Sequence, residues 1–192
     1  MSNSAFQNVL HCVIIQAYST FLRIVVQFIL LTHSRELLRA SNTGQLVLQV
    51  LGDRARVIEW HRKQPDMALL AAIEAGRVGL VFPTDDDSLN VSVDNAKHVN
   101  APAKDCVPHL EYLLLLDATW QEARKMYNQS PYLKSVVKVG LQPTHASIYP
   151  LRRNQLEGGL CTAECVALLL EKAGEAGLAQ QLTECLKGFV ER

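Results

Sequence analysis

Three residues in the stretch Glu111 to Tyr127, EYLLLLDATWQEARKMY, carry side chains suited to a reaction: Asp117, Thr119 and Trp120. A carboxylate such as Asp117 can take a proton. Their setting is as informative as their types. Tyr112 to Leu116 is a short continuous apolar run, which reads as a fully buried strand. Thr119 and Glu122 have capping-box spacing, so a helix is expected from about Trp120. Trp120, Ala123 and Tyr127 share one face of that helix, and Arg124 and Lys125 share another. In open α/β sheets ligands bind at the carboxyl ends of strands, where Asp117 and Trp120 would stand. The same residue types also fit a capping aspartate and a core tryptophan, and types alone leave that choice open.

Other reactive residues offer less. His11 and Cys12 have no partners at metal-ligand spacing, and Cys161 and Cys165, four apart on a predicted helix, fit two core cysteines. His33, His61, His98, His109 and His145 stand singly. Asn42-Thr43-Gly44 at a helix start could hold an anion on free backbone N–H groups, or could simply cap the helix. There is no glycine-rich dinucleotide fingerprint and no phosphate loop of the usual spacing.

The elements that must position these residues follow from periodicity and punctuation. Leu22 to Leu31, Arg56 to Trp60, Val78 to Phe82, Tyr112 to Leu116 and Ser135 to Val139 read as strands. A helix after Asn42 would bury Leu46, Val47, Val50 and Leu51 and stop at Gly52. Another runs from Pro65 to Ala75, with proline at its start and Gly76 after it. Residues 85–110 form a long polar connection, and 140–161 are mostly loop. Two helices, Thr162 to Ala173 and Ala176 to Val190, are broken at Gly174 and Gly177. Alternating strands and helices predict an α/β fold with a largely parallel sheet flanked by helices. A single domain over 1–192 is expected.

Composition narrows the class. The chain has 192 residues, 48% hydrophobic and 20% charged, as in ordinary globular proteins. Five unclustered cysteines describe no disulfide framework and suit a reducing, cytoplasmic compartment. No stretch reaches the roughly 18 uncharged apolar residues of a membrane helix, and the opening MSNSAFQNVL lacks signal-peptide features. No membrane partner is expected. Net charge is zero but uneven. Residues 1–63 hold seven Lys/Arg against three Asp/Glu, 64–119 three against nine, and 120–153 six against one. Two basic blocks flanking an acidic one could meet as one phosphate-binding surface, or could remain scattered solvated charge.

Four segments, taken in order, resemble one family. LLLLDATWQEARKM resembles the signature of the DTW-domain proteins, with the motif standing as Asp117-Ala118-Thr119-Trp120. LLTHSRELLRASNTGQL, from Leu30 to Leu46, resembles the family's His-x-x-Glu and Asn-Thr-Gly segment. GLVFPTDD resembles its strand-then-proline loop, and ASIYPLRRNQLEGGLCTAE, from Ala146 to Glu164, its C-terminal Ser, Leu-Arg and Thr-x-Glu block. The resemblance covers about residues 24–170, leaving the helix over 176–190 beyond it. It implies a tRNA-uridine aminocarboxypropyltransferase, which moves the 3-amino-3-carboxypropyl group of S-adenosylmethionine to ring nitrogen 3 of a uridine in tRNA. It also implies a SPOUT-like fold with a C-terminal knot, where sequence rules alone would draw an unknotted open sheet. Many members carry an N-terminal cysteine cluster suited to zinc. Here that region offers only His11 and Cys12, so no metal site is expected.

On that resemblance Asp117 is the expected base for the weakly acidic uridine N–H. Phe82, Pro83 and Thr84, the turn with Thr119 and Trp120, and the loop from Tyr149 through Leu151 to Thr162 would hold the S-adenosylmethionine. Arg124, Lys125, Arg152 and Arg153 would meet RNA phosphates, with Arg35 and Arg39 extending that surface. Two other activities fit the same features: a SPOUT-like RNA methyltransferase, and an RNA-binding domain without catalysis.

Overall fold

Two nearly all-apolar strands set the centre of the molecule. A computed structural model describes residues 26–82, 110–141, 146–149 and 159–191. Strand β1, Gln27–Thr32 (QFILLT), is buried at every position after the first. It is followed by the single turn α1, Ser34–Leu37, and by helix α2, Gly44–Leu51. Strand β2, Ala55–Glu59, helix α3, Met67–Glu74, and strand β3, Val78–Val81, come next. Strand β4, Tyr112–Asp117 (YLLLLD), leads into helix α4, Trp120–Gln129, a 3-10 turn at Pro131–Ser135 and strand β5, Val137–Val139. Helices α5, Thr162–Lys172, and α6, Ala176–Val190, complete the described chain. No helix among the described residues is long and apolar enough to cross a membrane.

The five strands form one parallel sheet in the order β2-β1-β4-β3-β5. A parallel sheet is covered on both faces, which is why β1 and β4 read as unbroken apolar runs instead of alternating. Alternate residues still go to different layers. Phe28, Leu30, Leu113 and Leu115 share a core with residues of α2, α5 and α6. Ile29, Leu31 and Leu114 share the other with Leu69 and Ala72 of α3 and Ala123, Met126 and Tyr127 of α4. The chain leaves β1 for β2 through α2 on the first face. It leaves β4 for β5 through α4 on the second. The strand order therefore reverses between β1 and β4, the place where open α/β sheets leave a crevice beyond the strands' carboxyl ends. Thr32 and Asp117, the last residues of these two strands, are register partners at that point.

Most boundaries shift by at most a residue, and three differences from the sequence expectation have a clear physical reason. Helix α3 begins at Met67 and not at Pro65, because Asp66 caps it by accepting the Leu69 N–H at 2.8 Å. Gly177 lies inside α6 and breaks nothing, whereas Gly174, at φ 79°, does separate α5 from α6. The fifth strand is shortened to Val137–Val139 because Pro131–Ser135 winds into the 3-10 turn.

Candidate active site

Asp117 ends β4 at the carboxyl edge, but its side chain turns inward. It lies on the α2 and α5 face, as its parity with Leu113 and Leu115 requires, and it is 1% exposed. Its Oδ2 accepts from the Thr32 hydroxyl at 3.1 Å and from the Asn42 amide at 3.0 Å. Its Oδ1 accepts from the Thr162 hydroxyl at 2.7 Å. Three segments are thus tied to one carboxylate: the end of β1, the turn before α2, and the start of α5. All three donors are neutral, and among the described residues no cation pairs with Asp117. A buried charge persists only when it is hydrogen-bonded, and three donors meet that need.

The turn before α2 is closed tightly around this carboxylate. Asn42 Oδ1 accepts the Gly44 N–H at 2.6 Å, and the Asn42 amide also donates to the Glu36 carbonyl at 3.0 Å. A Cβ on Gly44 would stand 2.8 Å from Asp117 Oδ2 and 2.9 Å from Asn42 Oδ1, so only glycine fits. Asn42-Thr43-Gly44 therefore binds this protein's own carboxylate through the Asn42 side chain.

A second buried carboxylate, Glu164 in the first turn of α5, binds the next loop. It accepts from the Ser147 hydroxyl, the Ile148 N–H and the Cys161 N–H, each at 2.7 Å. Tyr149, 2% exposed, donates its hydroxyl to the Ser41 carbonyl at 2.7 Å. The loop at 147–149, the turn at 41–44 and the start of α5 thus form one hydrogen-bonded block. Cys161 is wholly buried in it, and burial, reinforced by the Glu164 charge, pushes its thiol up to about 12. It is a packed, unreactive cysteine, in keeping with the core position that its sequence spacing suggests.

Across the edge, α4 starts with the expected capping box. Thr119 Oγ1 accepts the Glu122 N–H at 3.3 Å, and Glu122 Oε2 accepts from the Thr119 N–H at 3.2 Å and its hydroxyl at 2.7 Å. Burial alone would raise the Glu122 carboxyl. The Thr119 hydrogen bonds, helped by the nearby Arg39 charge, outweigh it and leave the group below its ordinary value. Trp120 is half-buried, its ring 6.0 Å from that of Phe82.

The residues expected to hold S-adenosylmethionine are therefore unequal. Phe82, Tyr149 and Thr162 are buried, and Thr119 serves its helix cap. Trp120 keeps part of its surface open at the edge. Of the expected phosphate contacts, Arg124 and Lys125 are exposed on α4. Arg35, with its side chain 74% exposed, lies 3.8 Å from Glu122, and Arg39 pairs with Glu36. Pro83, Thr84, Leu151, Arg152 and Arg153, with His11 and Cys12, lie outside the described residues. Sequence reasoning assigned no role to Thr32 or Glu164 and missed the pairing of His33 with Trp60, whose rings stack at 5.6 Å. The last pair was legible only as a histidine and a tryptophan at the ends of two predicted strands.

Three comparisons with known proteins bear on this site. A family model for the DTW domain matches residues 6–192. A Drosophila melanogaster protein named tRNA-uridine aminocarboxypropyltransferase 2 is 27% identical over 154 residues, which cover 74% of this chain and 56% of that protein. The chain thus spans a little over half the length of this curated relative. No solved structure matches the chain.

Proposed function

The chain belongs to the DTW-domain family, and we propose that it transfers the 3-amino-3-carboxypropyl group of S-adenosylmethionine to ring nitrogen 3 of a tRNA uridine. The observation that carries this reading is the Asp117 cluster at the switch point between β1 and β4. The family's Asp-x-Thr-Trp motif stands at the place in the sheet where a crevice is expected, and its carboxylate fixes the segments around it. The activity named for the distant relative supports the reaction class. A cytoplasmic enzyme of one domain, with a SPOUT-like fold and a C-terminal knot, completes the proposal.

The described residues suit such a donor. Asp117 is a buried anion stabilised by neutral groups alone, which complements a sulfonium cation. The half-buried face of Trp120 offers a second attraction for the same charge. When bound, the sulfonium supplies a carbon ready to be displaced by a nucleophile, with a neutral thioether leaving.

The protein's own residues then have to bind and orient. Asp117 holds the turn at 42–44 and the start of α5 in one arrangement, and alignment of reactants of this kind is worth roughly 7–11 kcal/mol. With both oxygens occupied at 1% exposure, its carboxylate serves as a positioning group. The base expected at this position would have to break these bonds to reach a nucleobase. Thr119 and Glu122 fix the start of α4 and with it Trp120. Arg124 and Lys125 on α4, with Arg152 and Arg153, hold RNA phosphates. The uridine N3–Cγ bond forms as the Cγ–S bond breaks, and the N3 proton passes to solvent.

The test is product analysis. The protein is incubated with tRNA and S-adenosylmethionine labelled in the methionine carbon chain. Methylthioadenosine and labelled tRNA are expected. S-adenosylhomocysteine would mark a methyltransferase, and neither product would mark a binder without catalysis.

A further inference from the structure

Beside the Asp117 cluster, on the other face of the sheet, two aromatic rings lie one against the other. Thr32 is in register with both Glu59 and Asp117, so His33 and Trp60 each stand one residue past the same row. Trp60 is then about 10 Å from Asp117 along the edge, two inter-strand spacings of about 4.8 Å. The rings of His33 and Trp60 are 5.6 Å apart and 25° from parallel. Both are half-buried.

Each ring is fixed in place. The Trp60 N–H donates to the Thr32 carbonyl at 2.8 Å, and its indole N–H donates to the buried Ser130 hydroxyl at 2.9 Å. The His33 N–H donates to the Asp117 carbonyl at 3.1 Å, and His33 Nδ1 accepts the Arg35 N–H at 3.2 Å. The acceptor role at Nδ1 leaves the second ring nitrogen as the N–H donor.

The charges around the pair are mostly positive. His61, Arg62 and Lys63 follow Trp60 directly and are exposed, and Arg35 follows His33 with its side chain 74% exposed. Two carboxylates sit among them: Glu59, 3.6 Å from His61, and Glu122, 3.8 Å from Arg35. Arg62 and Lys63 make no ion pair with a described residue. Stacking surfaces beside cations that can follow a phosphate chain are what unpaired nucleotides require.

We infer that the His33–Trp60 pair, flanked by Arg35, Arg62 and Lys63, is a stacking platform for an unpaired nucleotide of the RNA substrate next to the reacting one. The inference rests on the proposed tRNA reading for its ligand class. It adds the basic run after β2, which lies on the opposite side of the crevice from β5, to the arginines already assigned.

The chain has two tryptophans, Trp60 and Trp120, which makes the platform directly observable. In the Trp120→Phe protein, Trp60 is the sole indole. Titration with a single-stranded oligouridylate of about eight nucleotides should quench its emission as the labelled oligonucleotide's anisotropy rises. In the Trp60→Phe protein the remaining Trp120 should be quenched far less. Trp60→Leu should weaken oligonucleotide binding about 5- to 150-fold, as expected for one lost base stack. Arg62→Ala with Lys63→Ala should lower the salt slope by about 0.7 for each lost contact. Binding without quenching of Trp60, quenching confined to Trp120, or no binding at all would each overturn the platform. These readouts need no turnover. A platform that binds while no methylthioadenosine forms sinks the proposed reaction alone, and turnover unaffected by Trp60→Leu with unchanged binding sinks the platform alone.

Discussion

Replacing Asp117 by Asn separates a positioning carboxylate from a catalytic base. The structure shows how the substitution is accommodated. With the new carboxamide oxygen placed where Oδ2 now lies, the donors Thr32 and Asn42 keep their acceptor. The new amide nitrogen then faces the Thr162 hydroxyl, which can turn to accept. The number of hydrogen bonds is conserved and their charge assistance is lost. Bonds to a charged group are worth about 1.5–3 kcal/mol and neutral ones about 0.5–1.5. Three of them weaken by about 3 kcal/mol in total, and the relief of no longer burying a charge offsets part of this. A net cost of about 1–2 kcal/mol follows, a fall in Tm of a few degrees. Asp117→Ala is harsher. It leaves one Asn42 N–H and the Thr162 hydroxyl without their acceptor, at about 1–3 kcal/mol each, while the Thr32 hydroxyl keeps the Leu30 carbonyl at 3.2 Å. Its Tm should fall by about 10 °C.

Function should follow the same division. In single-turnover experiments with saturating tRNA, Asp117→Asn should bind S-adenosylmethionine more weakly because the complementary anion is gone. Its maximal rate should fall by no more than about tenfold, with the pH dependence of the wild type. A base behaves otherwise: its removal costs about 10²–10⁴ in the chemical step, and alkali, which ionises uridine unaided, restores part of the rate. An unchanged melting curve with a rate loss beyond about 10² that recovers as pH rises would refute the positioning argument. It would return the proton transfer to Asp117.

Gly44→Ala should destabilise the protein by about 1–3 kcal/mol in chemical denaturation, because the new methyl meets Asp117 Oδ2 and Asn42 Oδ1 inside contact distance. The usual helix-propensity gain of about 1 kcal/mol would give the opposite sign. Glu175, held below its ordinary carboxylate value mainly by the bidentate hydrogen bond to Arg54, should contribute stability above the unfolded value of about 4.3 and lose it as pH falls through the lowered folded value. Glu175→Gln should therefore cost about 0.5–1 kcal/mol at about pH 7 and progressively less as pH falls through the lowered folded value, read from melting curves along an acid series. Arg152→Ala with Arg153→Ala should lower the salt slope of tRNA binding by about one for each lost contact, with S-adenosylmethionine affinity less affected. Chelator-treated protein should still bind S-adenosylmethionine, and stoichiometric zinc in the purified protein would refute the reading of His11 and Cys12.

What was legible in the sequence was what the chain decides locally. The capping box joins Thr119 to Glu122 within a single turn, and the apolar run of β4 is continuous, so both could be read before any fold was drawn. Gly52 and Gly76 ended their elements as expected, with positive φ. Asp117 was legible as a residue at a strand's end, but not as a buried one. The partners that turn it inward are 85, 75 and 45 positions away, and only the parallel pairing of β1 with β4 brings the first two within reach. The Trp60–Ser130 bond, across 70 residues, is of the same kind. Where local signals competed, as Pro65 did with Asp66 for the start of α3, the side chain that could satisfy a free N–H won.

The two faces of the sheet divide the work at its carboxyl edge. On the α2 and α5 side, carboxylates at Asp117 and Glu164 gather neutral donors and backbone N–H groups from separate segments. Such networks hold one geometry because each member is satisfied only in that geometry. On the α4 side, the groups at the edge are rings and exposed cations: His33, Trp60 and Trp120, with Arg35 and Arg124. These are groups suited to flat or charged ligands. Because Thr32 ends β1 between them, its hydroxyl bonding Asp117 and its carbonyl bonding Trp60, a shift of that one residue would disturb both sides together. Thr32→Val tests this coupling. Loss of the hydroxyl removes one donor from Asp117 while leaving the carbonyl that holds Trp60 in place. Donor binding should weaken, while oligouridylate quenching of Trp60 stays within about twofold of the wild type, about 0.4 kcal/mol. Loss of both would show that the edge moves as one body. Loss of neither would remove Thr32 from the Asp117 cluster.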